Sequence, residues 1–349
     1  MKTGWKQFAP AICGSHTRRA RLSVLLLTLA VLCAACADRQ PTGTLAYVSN
    51  ERDGTITVID TKTDAVVSTI QLGAVRARGI RLSPDGKTLY VALSTPSGKL
   101  YEDADNRIAA IDTASGRILA KYEVGSDPEQ LAVGGEGRLL YASNEDAGTA
   151  TVTDVDARRI IATLVVGIEP EGVSISPDGR WVYVTAETSN TVSVIDTQKN
   201  EVVASFTVAS RPRDAAFSPD GTRAYVTTEI GRTLEVVDTR THTVVQTIRL
   251  PHAENVKPMG VVVARDGGRI YVANGRGNTV SVVDAKSHEV VRTIPVGQRV
   301  WGLALTPDGR KLYAANSLSN DVSVIDTATD QVIATVKAGD GPWGIAIKP

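Results

Sequence analysis

Seven copies of one short pattern run through this chain, and they leave little choice of fold. An aspartate closing a Val/Ile-rich run (VID, VVD or a variant) appears as Asp60, Asp112, Asp154, Asp196, Asp238, Asp284 and Asp326. A tyrosine in a second apolar run (LYVAN and its variants) appears as Tyr47, Tyr90, Tyr141, Tyr183, Tyr225, Tyr271 and Tyr313. Asp112, Asp154, Asp196 and Asp238 follow one another at intervals of 42 residues, and the interval lengthens where loops are inserted. Within one copy, residues 189–229, the apolar runs TVSVID, EVVASFTV, RDAAFS and RAYVTT are separated by polar turns such as Ser218-Pro219-Asp220-Gly221. Their partial period-2 alternation and β-branched content predict strands. Proline presets φ in the turn, and glycine takes the positive φ that leads into the next strand.

A repeated four-strand unit of this length is the signature of a β-propeller. The expected fold is all-β: a seven-bladed propeller of four-stranded antiparallel blades over residues 45–349. A lone strand at Gly344–Lys348 is expected to pair with the first strands, residues 45–72, closing the ring and leaving no open sheet edge. Blades two to seven are expected to begin near Gly79, Gln130, Gly172, Asp214, Gly260 and Gly302.

Composition narrows the function. Lys plus Arg equals Asp plus Glu, 38 of each, which argues against a nucleic-acid partner, since that would call for a basic face. Cys13, Cys33 and Cys36 all precede the repeats, so no disulfide framework or cysteine metal site is expected in the propeller. His242, His252 and His288 show no metal-ligand spacing, and no C-x-x-C-H haem motif is present. No metal and no cofactor are expected.

Residues 1–36 read as a leader. Arg18, Arg19 and Arg21 precede the apolar run Leu22–Ala35, which is too short for a stable membrane span. Ala34-Ala35-Cys36 resembles a lipoprotein processing site, with Cys36 the lipidated residue; ordinary cleavage near Ala35 is the alternative. Residues 37–44 form a short linker. The expectation is a periplasmic, monomeric protein that meets the membrane only through a lipid at Cys36.

The chemistry is expected where the loops before each inner strand converge. In blade order their variable residues are Arg78, Glu129, Glu171, Arg213, Met259, Trp301 and Trp343, a candidate site for a ligand or partner. Arg76, Glu169, Arg211, Lys257 and Arg299 stand just before them, and Glu51, Glu145, Glu187 and Glu229 form a second rim. Tryptophan faces suit planar or cationic groups and arginines suit carboxylates. The competing reading is that Glu and Arg neutralise one another around a wet channel while the tryptophans cover strand ends. Glu129 and Glu171 could act as acid and base if one were buried, but no histidine is placed at this mouth and no catalytic residue is assigned. The SPDG turns and Asp-Thr corners, on the opposite face, are expected to be structural. Two loops exceed the repeat. Ser94–Arg107 carries Glu102, Asp103 and Asp105, either oxygen ligands for a hard cation or a solvated acidic loop. Pro251–Pro258, with His252, is an expected interaction element.

The LYVAL, VYVTA, AYVTT, IYVAN and LYAAN runs, each followed by a VSVID-like strand, resemble the YVTN family of β-propellers. The stretches 167–179, 210–221, 228–238, 296–309, 319–326 and 341–347 are similar to the β-propeller proteins associated with PQQ-dependent alcohol catabolism. That resemblance implies an exported, non-enzymatic binding or accessory protein. Its partner would be a quinoprotein dehydrogenase, a cytochrome, a transporter component or a small molecule. Glu171, Arg213, Trp301 and Trp343 lie within the matching motifs. Two alternatives stay open: a lactonase-like hydrolase using the mouth carboxylates, and a carrier of a haem d1-type tetrapyrrole by resemblance to cytochrome cd1 propellers. The second lacks a mouth histidine for axial ligation.

Overall fold

The structure, a computed structural model, describes residues 44–95, 105–251 and 255–348. The leader with Cys36, Glu102 and Asp103 of the blade-two loop, and His252 lie outside the described residues. Among the described residues no helix is long and apolar enough to cross a membrane.

Seven four-stranded antiparallel sheets form the seven blades of a β-propeller. Blades two to seven each run, in chain order, from an innermost strand through the tyrosine strand and the aspartate-ended strand to an outer strand. The innermost strands are Arg76–Leu82, Pro128–Gly134, Pro170–Ile175, Pro212–Phe217, Val261–Val263 and Val300–Leu305. Blade one takes its innermost strand, Pro342–Ile347, from the other end of the chain. That strand pairs with Leu45–Asn50 in the register Tyr47↔Ala346 and Val48↔Ile345, so the ring closes as expected.

Burial follows from this layering. The tyrosine and aspartate-ended strands are covered on both sides by neighbouring blades; Trp181–Ala186 and Thr191–Asp196 are buried at nearly every position. Outer strands such as Glu201–Thr207 keep a period-2 alternation between covered and exposed residues. The tyrosines do more than mark the repeat. Their rings pack into the blade cores, and several hydroxyls reach the next blade's corner: Tyr141 donates to Asn200 Oδ1 at 3.0 Å, Tyr183 meets His242 Nδ1 at 2.7 Å, and Tyr313 donates to Asp64 across the closure.

The turn face is structural, as expected, although the threonines bond differently. Each corner aspartate accepts backbone N–H groups, as Asp196 Oδ1 does from Gln198 at 2.9 Å. Four corner threonines donate instead to the glycine carbonyl of the SPDG-type turn, Thr113 to Gly86, Thr197 to Gly179, Thr239 to Gly221 and Thr327 to Gly309, while Thr61 donates to Thr44 O at 2.7 Å. Asp105, the described acid of the long blade-two loop, pairs with Lys121 and lies 4.0 Å from Arg107.

A charged mouth built on bulges

In six blades the innermost strand slips by one residue against the tyrosine strand. The extra pair in each case is a rim residue and its successor: Arg78-Gly79, Glu129-Gln130, Glu171-Gly172, Arg213-Asp214, Trp301-Gly302 and Trp343-Gly344. A β-bulge of this kind re-aims one side chain without ending the strand. Blade six starts its strand later, after Met259-Gly260. In five blades glycine follows the rim residue, because neighbouring blades touch there. A Cβ on Gly172 would sit 2.4 Å from the Arg213 carbonyl oxygen, and one on Gly302 equally close to that of Trp343. Hydroxyls from the preceding blade hold several of these carbonyls: Ser49 donates to Arg78 O and Ser143 to Glu171 O, both at 2.6 Å, and Thr185 to Arg213 O at 3.0 Å.

Between blades one and six the rim residues form two closed ion-pair clusters. Arg78, almost fully buried, pairs with Glu129 and lies 3.2 Å from Glu51, 3.5 Å from Asp127 and 3.6 Å from Glu145; Arg76 adds a 2.6 Å contact to Glu51. Arg213 pairs with Glu187, with Glu229 at 2.7 Å and with Glu171 at 3.2 Å. Arg211 joins Glu187 and Glu229 at 2.7 and 3.1 Å, and Lys257 reaches Glu229 at 3.2 Å. Glu129 and Glu171 thus fall in different clusters, each on its own arginine, and do not form an acid–base pair.

The clusters set the carboxylates apart. Burial pushes Glu145 up to about 7, with the charges of Glu171 and Asp127 adding to it. Burial also raises Glu171, against the opposing pull of Arg213 and Arg211. Burial would raise Glu229 too, but Arg213, Arg211 and Lys257 outweigh it and hold its carboxyl below the usual range. Asp127, Glu129 and Glu145 each bring an oxygen within 4.8 Å of the others, an arrangement able to hold a hard cation. The Arg78 guanidinium already faces all three.

The remaining arc is aromatic. Trp301 and Trp343 lie 5.6 Å apart between ring centres, tilted by 33°. Trp343 and Met259 are buried, so neither offers an open face, whereas Trp301 is half-covered. Its ring carries the Arg299 guanidinium at 4.8 Å and that of Arg213 at 5.3 Å. Arg299 differs from Arg76, Arg78, Arg211 and Arg213 in that no carboxylate lies within 4.0 Å of it among the described residues. Desolvation lowers its pKa. Beside it opens a cleft of about 210 Å³ lined by Asn255, Arg276, Asn278, Gln298, Arg299 and Leu318. Asn255 comes from the blade-five insertion, which brings that segment to the mouth.

Below the mouth runs the central channel, about 590 Å³, lined by innermost-strand residues including Arg81, Gln130, Asp214, Phe217 and Trp301, and by Arg265 from the turn after the blade-six strand. Arg81 and Asp214 were not among the residues singled out from the sequence as site candidates. Burial pushes Asp214 up to about 6, partly offset by the Arg81 charge and by backbone N–H groups of Val261 and Ala215.

Comparison with known proteins agrees with the architecture. A family model described as a lactonase, 7-bladed beta-propeller, matches residues 197–340, and a YNCE-like beta-propeller model matches residues 101–262. No curated protein matches the chain. Among solved structures, hydrazine synthase of Kuenenia stuttgartiensis is 22% identical, with 83% of this chain and 94% of that chain covered and a TM-score of 0.72. A candidate 6-phosphogluconolactonase of Bacteroides uniformis is 18% identical over 88% of this chain and all of that one (100%), with a TM-score of 0.73. A functionally unknown protein of Desulfotomaculum acetoxidans is 19% identical over 87% and 99%, with a TM-score of 0.71. At these identities the likeness shows the propeller fold alone.

Proposed function

We propose that the protein is a non-enzymatic binding propeller whose blade six–seven arc receives an acidic group of its partner. One observation carries this reading. Arg76, Arg78, Arg211 and Arg213 are each paired with carboxylates of the chain itself, while Arg299 sits on Trp301 with no carboxylate within 4.0 Å among the described residues. A guanidinium held on an indole face, in a cleft whose other cation, Arg276, forms no ion pair among the described residues, is preorganised for a carboxylate. The proposed setting is export to the periplasm, attachment through a lipid at Cys36, and service to a PQQ-linked alcohol-oxidation or transport system; the leader and the repeat motifs support it. Crosslinking in a host grown on alcohol, followed by capture, tests the assignment. A quinoprotein dehydrogenase, its cytochrome or a transporter component should be retained by the wild type and lost by Arg299→Ala and by Trp301→Ala. Retention by both variants overturns the reading. Trp301 suits this test better than Trp343, whose removal would also open a cavity in the ring.

A second reading, lactone hydrolysis, is favoured by the lactonase family match over residues 197–340 and by Glu145, poised near neutrality as a general base. Turnover of a sugar lactone by the purified chain, abolished in Glu145→Gln, would establish it over the binding role.

A further inference from the structure

The central channel holds two departures from the repeat that the mouth does not explain. Arg81 occupies an inner-strand position where the other blades carry Ala132, Ser174, Ala216, Val262, Ala304 and Ala346. Asp214 occupies the bulge position where five blades carry glycine. Both side chains line the channel. Blades two and five lie three places apart in a ring of seven, so the two residues face the lumen from opposite sides.

The two charges attract each other across the lumen, but among the described residues neither closes a contact ion pair. Among the described residues Arg81 makes one hydrogen bond, Nη1 to Ile80 O at 2.9 Å, and no carboxylate oxygen lies within 4.0 Å of it. A guanidinium has five N–H donors, so most of its fork remains for the lumen. An arginine held inside a protein without an ion-pair partner is costly. Such a group is expected where a ligand completes it. Asp214 is pinned in place: its Oδ2 accepts from Val261 N–H at 3.2 Å and its Oδ1 from Ala215 N–H at 2.9 Å. Each oxygen keeps a lone pair for a further donor. Towards the turn face the channel is lined by Arg265, which stands where blades two, four, five and seven carry proline and forms no ion pair among the described residues. The lumen therefore presents cations along one path and one fixed acceptor across from Arg81.

We propose that this channel binds a small hydroxycarboxylate, with its carboxylate in the fork of Arg81 and a hydroxyl donating to Asp214. The carboxylate matches the bidentate geometry of a guanidinium, and the hydroxyl supplies the donor that a carboxylate alone lacks. A volume near 590 Å³ leaves room for such a ligand together with water. The site shares no lining residue with the cleft at Arg276 and Arg299, although rim residues such as Trp301 and Trp343 also line the channel above it.

Isothermal titration of the full chain with glycolate, D-gluconate, acetate, glucose and inorganic phosphate tests it. Glycolate or gluconate should bind saturably at one site, more tightly than acetate, with glucose silent. Arg81→Met should raise the dissociation constant by about tenfold or more. Asp214→Asn should erase the preference for hydroxy acids over acetate while leaving acetate binding in place. The absence of saturable binding by either hydroxy acid overturns the proposal, and so does equal binding by wild type and Arg81→Met. Phosphate binding as tightly as gluconate would show a plain anion site and overturn the hydroxycarboxylate assignment. Should Arg81→Met melt well below the wild type, Arg81→Lys replaces it; undiminished hydroxy-acid binding by that variant overturns the role of the guanidinium fork.

Discussion

The two arcs of the mouth handle charge in opposite ways. From blade one to the start of blade six, arginines and carboxylates alternate and close on one another, so that Arg78 and Arg213 each touch three or more acids. Across blades six and seven the same rim positions carry Met259 and Trp301, and the guanidinium of Arg299 rests on an indole with no acid within 4.0 Å among the described residues. One arc spends its charge on holding blades together. The other leaves a cation available. The contrast shows that charge density alone does not mark a binding surface: the most crowded charges on this face are the ones with least left to offer.

The sharpest way to break the comparison is to remove an arginine from the closed arc. Arg78→Ala leaves Glu51, Asp127, Glu129 and Glu145 without their shared cation, and should destabilise the fold by about 3–5 kcal/mol in urea unfolding. A change below about 1 kcal/mol would show that water already carries these carboxylates. Next comes pH. Glu145 rises to about 7 from a usual value of 4.5, so the folded state binds more protons than the unfolded state between those values. Its contribution to stability is therefore present below about 4.5 and is lost as pH rises through about 7, a swing on the order of 1–3 kcal/mol. Melting temperatures of the wild type should fall over that window relative to Glu145→Gln; parallel profiles would contradict the assignment.

In the open arc the expectation reverses. Arg299→Ala should leave unfolding within about 0.5 kcal/mol of wild type while weakening partner binding about tenfold. Equal losses of stability in Arg299→Ala and Arg78→Ala would erase the distinction between the arcs. The smallest effect lies on the far face, as a control. Desolvation holds His242 below its usual 6.5, against the pull of Asp238. Its protonation is thus disfavoured in the fold, and stability is lost as pH falls below about 6.5. Within the folded state its Nδ1 meets the Tyr183 hydroxyl at 2.7 Å and its ring lies edge-on to Trp181. His242→Leu should flatten the acid side of the melting profile by less than about 1 kcal/mol and leave the mouth unaffected.

The repeats made the ring legible before any coordinates. Seven aspartates and seven tyrosines set the blade count, and the lone strand near Gly344 pointed to the closure. The seven rim positions were legible too, because each holds the same place at the start of a recurring inner-strand run. Depth was not. A repeat gives a residue's place within its blade, but whether Trp343 or Met259 lies open or covered depends on the neighbouring blade. Pairing was hidden for the same reason, since Arg78 meets Glu51 and Glu129 only once three blades stand side by side. Arg81 and Asp214 did leave a signal: each is the one charged residue in a column otherwise filled by small, apolar or amide residues. Reading rows alone passes over it, and reading the columns across blades finds it.

The closure has a consequence in time as well as in shape. Ser49 Oγ accepts a hydrogen bond from the backbone of Gly344, 295 residues away in sequence. Contacts so distant are among the slowest for a chain to find, whereas every other blade assembles from one local stretch. Until that last pairing forms, Leu45–Asn50 and Pro342–Ile347 remain unpaired edges, each able to take a strand from another molecule. Refolding yield should therefore fall with protein concentration far more steeply than the stability of the finished ring would suggest.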